Sequence, residues 1–171
     1  MLSIKNNHII SVLTGILLLI GSSFANASPL TDLDGKPASI SDYSGKGKWL
    51  VVMFWASDCH ICNKEAHQYV DMQTRHKDGN ISVLGITTDG LANKADAKSF
   101  INEHKLNFPN LIGTLEDIAG MYYDLTGNQW IGTPTFFIYN PEGKLRIADA
   151  GAIPAKLIED FIAENSVASA E

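Results

Sequence analysis

Apolar residues occur in runs of different period, and the period distinguishes strands from helices. The run Trp49–Ala56 is apolar at every position and rich in β-branched and aromatic side chains, which predicts a strand buried on both faces. From Cys59 to Arg75 the apolar residues recur at helical spacing, which predicts a helix directly after that strand. The later pattern predicts, in order, a strand over Ile81–Thr87, helices over Ala95–Lys105 and Leu115–Tyr123, strands over Pro134–Tyr139 and Lys144–Ala148, and a last helix opened by Pro154 with Leu157, Ile158, Phe161 and Ile162 on its apolar face.

Two turn signals show how neighbouring strands are connected. Asp34-Gly35, within Leu33–Lys36, predicts an N-terminal hairpin because glycine supplies the positive φ that such turns need. Asn140–Gly143 has proline second and glycine fourth, which favours a type I turn between two antiparallel strands. The order of elements predicts an α/β fold with a mixed, mostly parallel sheet and helices on both faces.

The first 27 residues predict an export signal that precedes the fold. Lys5 is followed by a 12-residue, largely apolar run, Ile9–Ile20, and small residues occupy Ala25–Ala27. Cleavage after Ala27 would leave a domain of residues 28–171 in an oxidising compartment, which we expect to be the periplasm. The alternative is an uncleaved anchor in the inner membrane, although a spanning helix needs about 20 apolar residues.

Composition and charge narrow the classes of partner. The 171 residues are 45% hydrophobic and 19% charged, which is typical of a packed domain and not of a disordered chain. Lys and Arg number 13 against 19 Asp and Glu, so the formal net charge is −6, and no basic run occurs. We therefore expect no nucleic-acid partner, and membrane contact only through an uncleaved N-terminus.

Cys59 and Cys62 are the two cysteines of the chain, and they lie between the buried strand and the helix. This spacing leaves the first sulfur at a helix N-terminus, where backbone N–H groups and the helix dipole stabilise a thiolate. The second sulfur lies within reach to resolve a mixed disulfide. The motif predicts a redox-active Cys59–Cys62 disulfide that works without a bound cofactor or metal.

Three other interpretations of the cysteine pair fit its surroundings less well. A c-type haem site needs histidine directly after the second cysteine, where this chain has Asn63. A zinc site needs four ligands, and no spacing presents His60 and His67 with the cysteines as a tetrahedron. An inert structural disulfide would close only a four-residue loop, where the entropic gain is smallest.

A second motif is Gly132–Phe137, in which Pro134 opens a strand predicted to be buried. Proline cannot donate to the sheet, so its place there suits a cis Thr133–Pro134 bond that caps the strand beside the cysteines.

Together, Trp49–Glu65 and Gly132–Thr135 resemble the thioredoxin fold. More narrowly, they resemble the exported TlpA/ResA/DsbE-like thiol–disulfide oxidoreductases. The family's opening hairpin, its insertion and its late hairpin are matched by Leu33–Lys36 with Ile40–Lys46, by Leu91–Tyr123, and by Asn140–Lys144.

The resemblance implies a thioredoxin-like fold, with a central mixed sheet flanked by helices, and it implies roles for individual residues. Cys59 would be the nucleophile and Cys62 the resolving thiol, while Thr133 and Pro134 would form the cis loop that pairs with a partner peptide. Two further residues near the cysteines, Trp55 and His60, are predicted to contact the substrate.

The activity implied is reduction of protein disulfides, with electrons from a membrane thiol donor such as DsbD or CcdA. Apocytochrome c during cytochrome c maturation and a copper-delivery metallochaperone are the expected substrates. The alternatives are an oxidase or isomerase, which uses the same chemistry at another potential, and a non-enzymatic module that binds copper or peptide. A peroxidase of the peroxiredoxin type needs proline and threonine just before the cysteine, and Phe54–Asp58 contains neither.

Departures from the family pattern single out three acidic residues. Plain thioredoxins carry a buried aspartate where this chain has Met53, so the proton for Cys62 must come from elsewhere. Glu65, one helical turn after Cys62, is the first candidate, and Asp89, after the second strand, is the other. Asp58 stands where the family has an aromatic residue. It is either a helix N-cap or a charge that raises the pKa of Cys59 and makes the protein more reducing.

Overall fold

The strand that leads into the cysteine pair, β3 (Trp49–Trp55), is buried along its whole length. A computed structural model describes residues 29–167, so the predicted export signal over residues 1–27 lies outside the described residues. Within that range the other strands are β1 (Leu30–Asp32), β2 (Pro37–Ala38), β4 (Ile81–Thr87), β5 (Asn110–Ile112), β6 (Thr135–Tyr139) and β7 (Leu145–Ala150). The α-helices are α1 (His60–Arg75), α2 (Lys94–His104), α3 (Leu115–Thr126) and α4 (Ala155–Val167), and short 3₁₀ turns cover Ile40–Asp42 and Leu91–Asn93.

The strands form one mixed sheet in the order β2-β1-β5-β4-β3-β6-β7. Only β3 with β4 and β4 with β5 pair in parallel, and the other four pairings are antiparallel. The prediction of a mixed sheet is therefore confirmed, whereas the prediction that it is mostly parallel is wrong. The reason is that the N-terminal hairpin joins the sheet through β5, while the last hairpin extends its opposite edge.

Side chains of β3 alternate between two apolar layers, as the pleat of a strand requires. Val51 and Met53 face a layer closed by α1, α2 and α4. Val52 and Phe54 face a second layer that is closed by α3 and the N-terminal segment. Helices thus cover both faces, as predicted, and the helix that begins at the cysteine pair is packed on the larger layer.

Both predicted turns are present. Gly35 has φ +86°, and its N–H donates to the carbonyl of Asp32 over 3.0 Å. The Asp32 carboxylate also accepts from the backbone N–H groups of Asp34 and Lys36, each over 2.9 Å. In the late hairpin the N–H of Gly143 donates to the carbonyl of Asn140 over 2.8 Å.

Several bounds differ from the predictions. The three-residue strand β5 was not predicted, because so short a segment carries no measurable period. α1 begins at His60 rather than Cys59, and α3 extends to Thr126. On α4, Ile158 and Ile162 are buried as predicted, but Leu157 is 60% exposed and does not belong to the apolar face.

Strand pairing determines which loops meet at the cysteine end of β3. Phe54 pairs with Thr135 at the start of β6, and Trp55 pairs with Thr87 at the end of β4. The loop after β3, the loop after β4 and the segment before β6 therefore lie together at the end of the sheet where β3 and β4 finish and β6 begins. The predicted site residues lie at this end of the sheet.

Candidate active site

Cys59 and Cys62 form a disulfide at the junction of β3 and α1, with their Cα atoms 5.2 Å apart. Cys59 is the N-cap of α1, and its sulfur accepts a hydrogen bond from the backbone N–H of Cys62 over 3.1 Å. In the reduced protein this N–H and the helix dipole favour a thiolate at Cys59. The geometry matches the position predicted for the nucleophile.

The two sulfur-bearing residues differ in access to solvent. Cys59 is partly exposed, whereas Cys62 is 0% exposed and packs in the layer beneath α1. His60 and Ile61, between them, are exposed. A partner disulfide can therefore approach Cys59 first, and Cys62 is suited to attack from the interior. The roles assigned to the two cysteines remain predictions that this geometry supports.

The loop before Cys59 is held by Asp89, which follows β4. One carboxylate oxygen of Asp89 accepts from the backbone N–H of Ser57 over 3.1 Å and from its hydroxyl over 3.0 Å. The other carboxylate oxygen accepts from the hydroxyl of Thr87 over 2.7 Å. These bonds give Asp89 a structural role at the site. Its predicted influence on the protonation of Cys62 stays a prediction.

Asn63, in the first turn of α1, belongs to the site although the sequence did not predict it. The Asn63 side-chain NH₂ donates to the carbonyl of Cys59 over 2.9 Å and to that of Ser57 over 3.4 Å. Its oxygen lies 2.9 Å from Nε2 of His104, the last residue of α2. Asparagine in the first turn of a helix is a weak signal by itself, and the pairing with a residue 41 positions away had none.

The Thr133–Pro134 peptide bond is cis, as predicted, and Pro134 is buried. The hydroxyl of buried Thr135 donates to the carbonyl of Gly132 over 2.6 Å and accepts from Nε1 of Trp130 over 2.9 Å. Thr133 is partly exposed. The segment thus presents Thr133 at the end of the sheet that bears the disulfide, where its predicted pairing with a peptide would occur.

Glu65 lies one turn after Cys62 and is partly buried. Its Oε2 atom is buried and has no hydrogen-bond partner among the described residues. Four residues on, Tyr69 is fully buried and its hydroxyl donates to the carbonyl of Ile153 over 2.5 Å. Burial, with a smaller contribution from the Glu65 charge, raises the pKa of Tyr69 above its usual range. The role of Glu65 in proton exchange with Cys62 stays a prediction.

The indole of Trp55 is 0% exposed, which contradicts the prediction that it contacts a substrate. It stacks on Phe100 of α2, with ring centroids 4.3 Å apart, and its Nε1 donates to Asn110 over 3.1 Å. Trp55 therefore fixes the end of β3 against α2 and β5. His60, by contrast, is exposed, so its predicted substrate contact remains open.

Asp58 is exposed, and the N-cap of α1 is Cys59, so the capping interpretation of Asp58 is wrong. Its side chain lines a cavity of about 320 Å³ that also includes Asp96 and Glu103 of α2. The charge interpretation of Asp58 is left as the prediction.

Over residues 29–167, no cluster of three or more His, Cys, Asp or Glu is arranged to hold a metal ion. Within the same range, no helix has the length and apolarity needed to cross a bilayer.

Comparison with known proteins gives the same picture. A family model described as the AhpC/TSA family matches residues 21–148. The thiol–disulfide oxidoreductase ResA of Bacillus subtilis (strain 168) is 27% identical over 133 residues, which are 78% of this chain and 69% of that protein. Across the ResA proteins of B. subtilis and Bacillus thuringiensis (strain Al Hakam), the chain spans 69% and 61% of their lengths.

Solved structures show the same fold. The thioredoxin domain of the thiol–disulfide oxidoreductase BVU-2223 from Bacteroides vulgatus has a TM-score of 0.62 at 26% identity, over 80% of this chain and 95% of that one. The exposed lipoprotein thioredoxin Etrx1 of Streptococcus pneumoniae strain TIGR4 has a TM-score of 0.61 at 27% identity, over 79% and 96%. The predicted resemblance is confirmed: the chain belongs to the AhpC/TSA family of the thioredoxin superfamily, and its Cys59–Cys62 pair makes it a thiol–disulfide oxidoreductase.

Proposed function

We propose that this protein is exported to the periplasm and reduces disulfides in other proteins there. The observation that carries the proposal is the unequal placement of the two cysteines, since Cys59 is partly exposed at a helix N-terminus and Cys62 is buried. That asymmetry supports Cys59 as the attacking thiol and Cys62 as the resolving thiol. The redox group is then the Cys59–Cys62 disulfide itself, and no further cofactor is proposed.

The reaction consists of two exchanges. The Cys59 thiolate attacks one sulfur of the substrate disulfide, the substrate S–S bond breaks, and the other substrate sulfur leaves as a thiolate that takes up a proton. Cys62 then loses its proton, for which Glu65 is the proposed acceptor, and attacks Cys59. The mixed disulfide breaks, the second substrate sulfur leaves as a thiolate that takes up a proton, and the enzyme is left oxidised at Cys59–Cys62.

Each turnover consumes two electrons, so the disulfide must be reduced again by a dithiol donor. In an oxidising compartment this requires a dedicated source, and we propose a membrane thiol donor of the DsbD or CcdA kind. The proposed substrates are the disulfides of apocytochrome c and of a copper-delivery protein. Support for the reducing direction comes from the exposed carboxylate of Asp58 next to Cys59, since a negative neighbour disfavours the thiolate and thus the reduced enzyme.

Trapping separates these proposals from the alternatives. Cys62→Ser should accumulate a mixed disulfide between Cys59 and its partner, which mass spectrometry after acid quenching would identify. Cys59→Ser is the matched control and should trap far less. A protein that only binds copper or peptide would trap nothing and would not accelerate insulin reduction by dithiothreitol.

Direction is tested by equilibrium with glutathione. A reductase should show a reduction potential below about −230 mV, whereas a value near about −120 mV would indicate an oxidase. Consumption of hydrogen peroxide with dithiothreitol, measured in parallel, should stay at the uncatalysed rate, and catalysed consumption would support the peroxidase alternative.

A further inference from the structure

One side chain bonds to both carbonyl groups that flank Asp58 in the loop leading to the disulfide. The amide nitrogen of Asn63 donates to the Cys59 carbonyl over 2.9 Å and to the Ser57 carbonyl over 3.4 Å. The backbone N–H of Asn63 also donates to the Cys59 carbonyl, over 3.0 Å. The loop is therefore tied to the first turn of α1 at the residue that carries the entering sulfur.

The orientation of this amide determines which ring nitrogen of His104 must carry a hydrogen. Because both backbone carbonyls can only accept, the amide nitrogen must face them, and Oδ1 then faces His104 Nε2 at 2.9 Å. Oδ1 can only accept, so Nε2 must carry a hydrogen. That condition is met by the Nε2–H tautomer of neutral histidine and by the protonated ring, so the bond persists in both protonation states.

His104 is itself held in place. Its ring lies 4.3 Å from that of Phe100 on the same helix, and Phe100 stacks on the buried Trp55 at the end of β3. His104 is partly exposed at the C-terminal end of α2, within the segment Leu91–Tyr123. The imidazole thus connects this segment to the loop that bears the disulfide.

We propose that His104 is a positioning residue for the thiol–disulfide exchange: it orients the Asn63 amide, which holds the Cys59 carbonyl and so keeps the Cys59 sulfur at the N-terminus of α1. The proposal rests on Cys59 being the nucleophile. It assigns to α2 a role in the chemistry, although His104 itself is placed to contact Asn63 rather than the sulfur atoms.

We call the bonds from the Asn63 side chain to the Ser57 and Cys59 carbonyls the clamp. Loss of the clamp should loosen the loop that leads to Cys59 without unwinding α1. The backbone bond from Asn63 to Cys59 remains, so α1 still begins at His60. The sulfur of Cys59 would then spend less time beside the N–H of Cys62, where its thiolate is stabilised. The hydrogen bond from the Cys62 N–H to the Cys59 thiolate would then be weakened but not abolished. Because that bond stabilises the charged form, the pKa of Cys59 should rise by about 0.5 to 1.

The experiment uses the full-length reduced protein and the thiolate absorbance at 240 nm as a function of pH. His104→Phe keeps a ring against Phe100 and removes the donor, and Asn63→Ala removes the clamp but keeps the imidazole, so it excludes a direct effect of histidine charge. Both should raise the midpoint assigned to Cys59 by about 0.5 to 1. His104→Gln, which retains an N–H donor, should restore at least half of the difference.

Asn107→Ala is the matched control. The Asn107 amide donates to Val70 over 3.2 Å and to Thr74 over 2.8 Å, so it ties the chain after α2 to the far half of α1. Its removal should leave the Cys59 midpoint unchanged. A shift as large as that of His104→Phe would mean that any loosened contact with α1 acts in this way, and would overturn the proposal.

A double variant tests whether His104 acts through Asn63. His104→Phe in the Asn63→Ala background should add no further rise, whereas additive rises would refute the clamp. If His104→Phe does not fold, His104→Leu replaces it in the comparison with Asn107→Ala, and equal Cys59 midpoints in those two proteins reject the proposal. Peptide mapping of alkylated thiols is done on the parent protein, so labelling first at Cys62 would refute the proposed nucleophile and be recognised as a separate failure.

Discussion

A methyl group added at Gly85, beneath the end of β3, should destabilise the protein strongly. Gly85 lies in β4, and a Cβ atom built on it would be 2.9 Å from Trp55 Nε1 and 2.9 Å from Asn110 Cγ, with Asn110 Oδ1 closer still. Real Cβ atoms essentially never lie within 3.0 Å of another heavy atom in this way. Since the indole is fixed in the core, the Asn110 carboxamide must move.

The size of the effect follows from what Asn110 holds. Its oxygen accepts from Trp55 Nε1 over 3.1 Å, and its NH₂ donates to the Phe108 carbonyl over 2.9 Å. Trp55 is 0% exposed, so its N–H would be buried without a partner, which costs about 1–3 kcal/mol. Overpacking adds about 1–3 kcal/mol. Gly85→Ala should therefore lower the free energy of unfolding by about 2–6 kcal/mol, and Tm by roughly 5–20 °C.

Gly120→Ala is the matched control, because the Cβ added there meets nothing within 4 Å. Gly120 lies inside α3, so alanine should stabilise the protein by about 0.5–1 kcal/mol. Urea unfolding of the oxidised proteins, followed by far-UV circular dichroism, measures both changes. A Gly85→Ala protein that unfolds at the same urea concentration as the parent would refute the assignment of Trp55 and Asn110 as a rigid support.

Three further predictions concern acidic residues. Asp58→Asn should lower the pKa of Cys59 by a few tenths and raise the reduction potential, because an exposed negative neighbour is removed; an unchanged 240 nm titration would exclude this charge effect. Glu65→Gln should slow release of the mixed disulfide at least about tenfold while leaving alkylation of Cys59 unaffected, and quenched-flow mass spectrometry would show both rates. The backbone N–H of Lys36, foremost among several groups, holds the pKa of Asp32 below its usual 3.8. The stabilisation is complete above that value and is lost as the pH falls through the lower, folded-state pKa. Asp32→Asn should therefore lower the urea midpoint at pH 7, and the difference should shrink at about pH 2; equal differences at both pH values would contradict it.

Local signals were sufficient for the elements that carry the chemistry. β3 could be predicted because a short run of seven apolar residues, rich in β-branched and aromatic side chains, is typical of a buried strand. The start of α1 followed from the change of period at Cys59, and the cis bond at Pro134 followed from proline at the head of a buried strand. Each of these signals lies within a few residues of the feature that it predicts.

Features that depend on distant partners could not be predicted in this way. β5 has three residues and is a strand because β1 and β4 pair with it from either side. The contact of Asn63 with His104 spans 41 positions, and that of Ser57 with Asp89 spans 32. Polar side chains of this kind are common in helices and loops, so their partners become visible only once the sheet has brought the elements together.

The error at Trp55 has a different cause, since the information needed to avoid it was in the sequence. The run Trp49–Ala56 is predicted to be buried on both faces, so Trp55 must lie in a core layer whichever way it points, and it lies in the layer of Val51 and Met53. A buried residue at the end of β3 supports the site from below and leaves recognition to the loops around it. Exposed apolar side chains of the described residues there include Ile61, between the cysteines and 45% exposed, Leu91, after β4 and 48% exposed, and Ile131, just before the cis loop and 83% exposed. Burial of β3 on both faces therefore assigns Trp55 to the scaffold, and the apolar side chains open to a substrate protein lie after β3, after β4 and before β6.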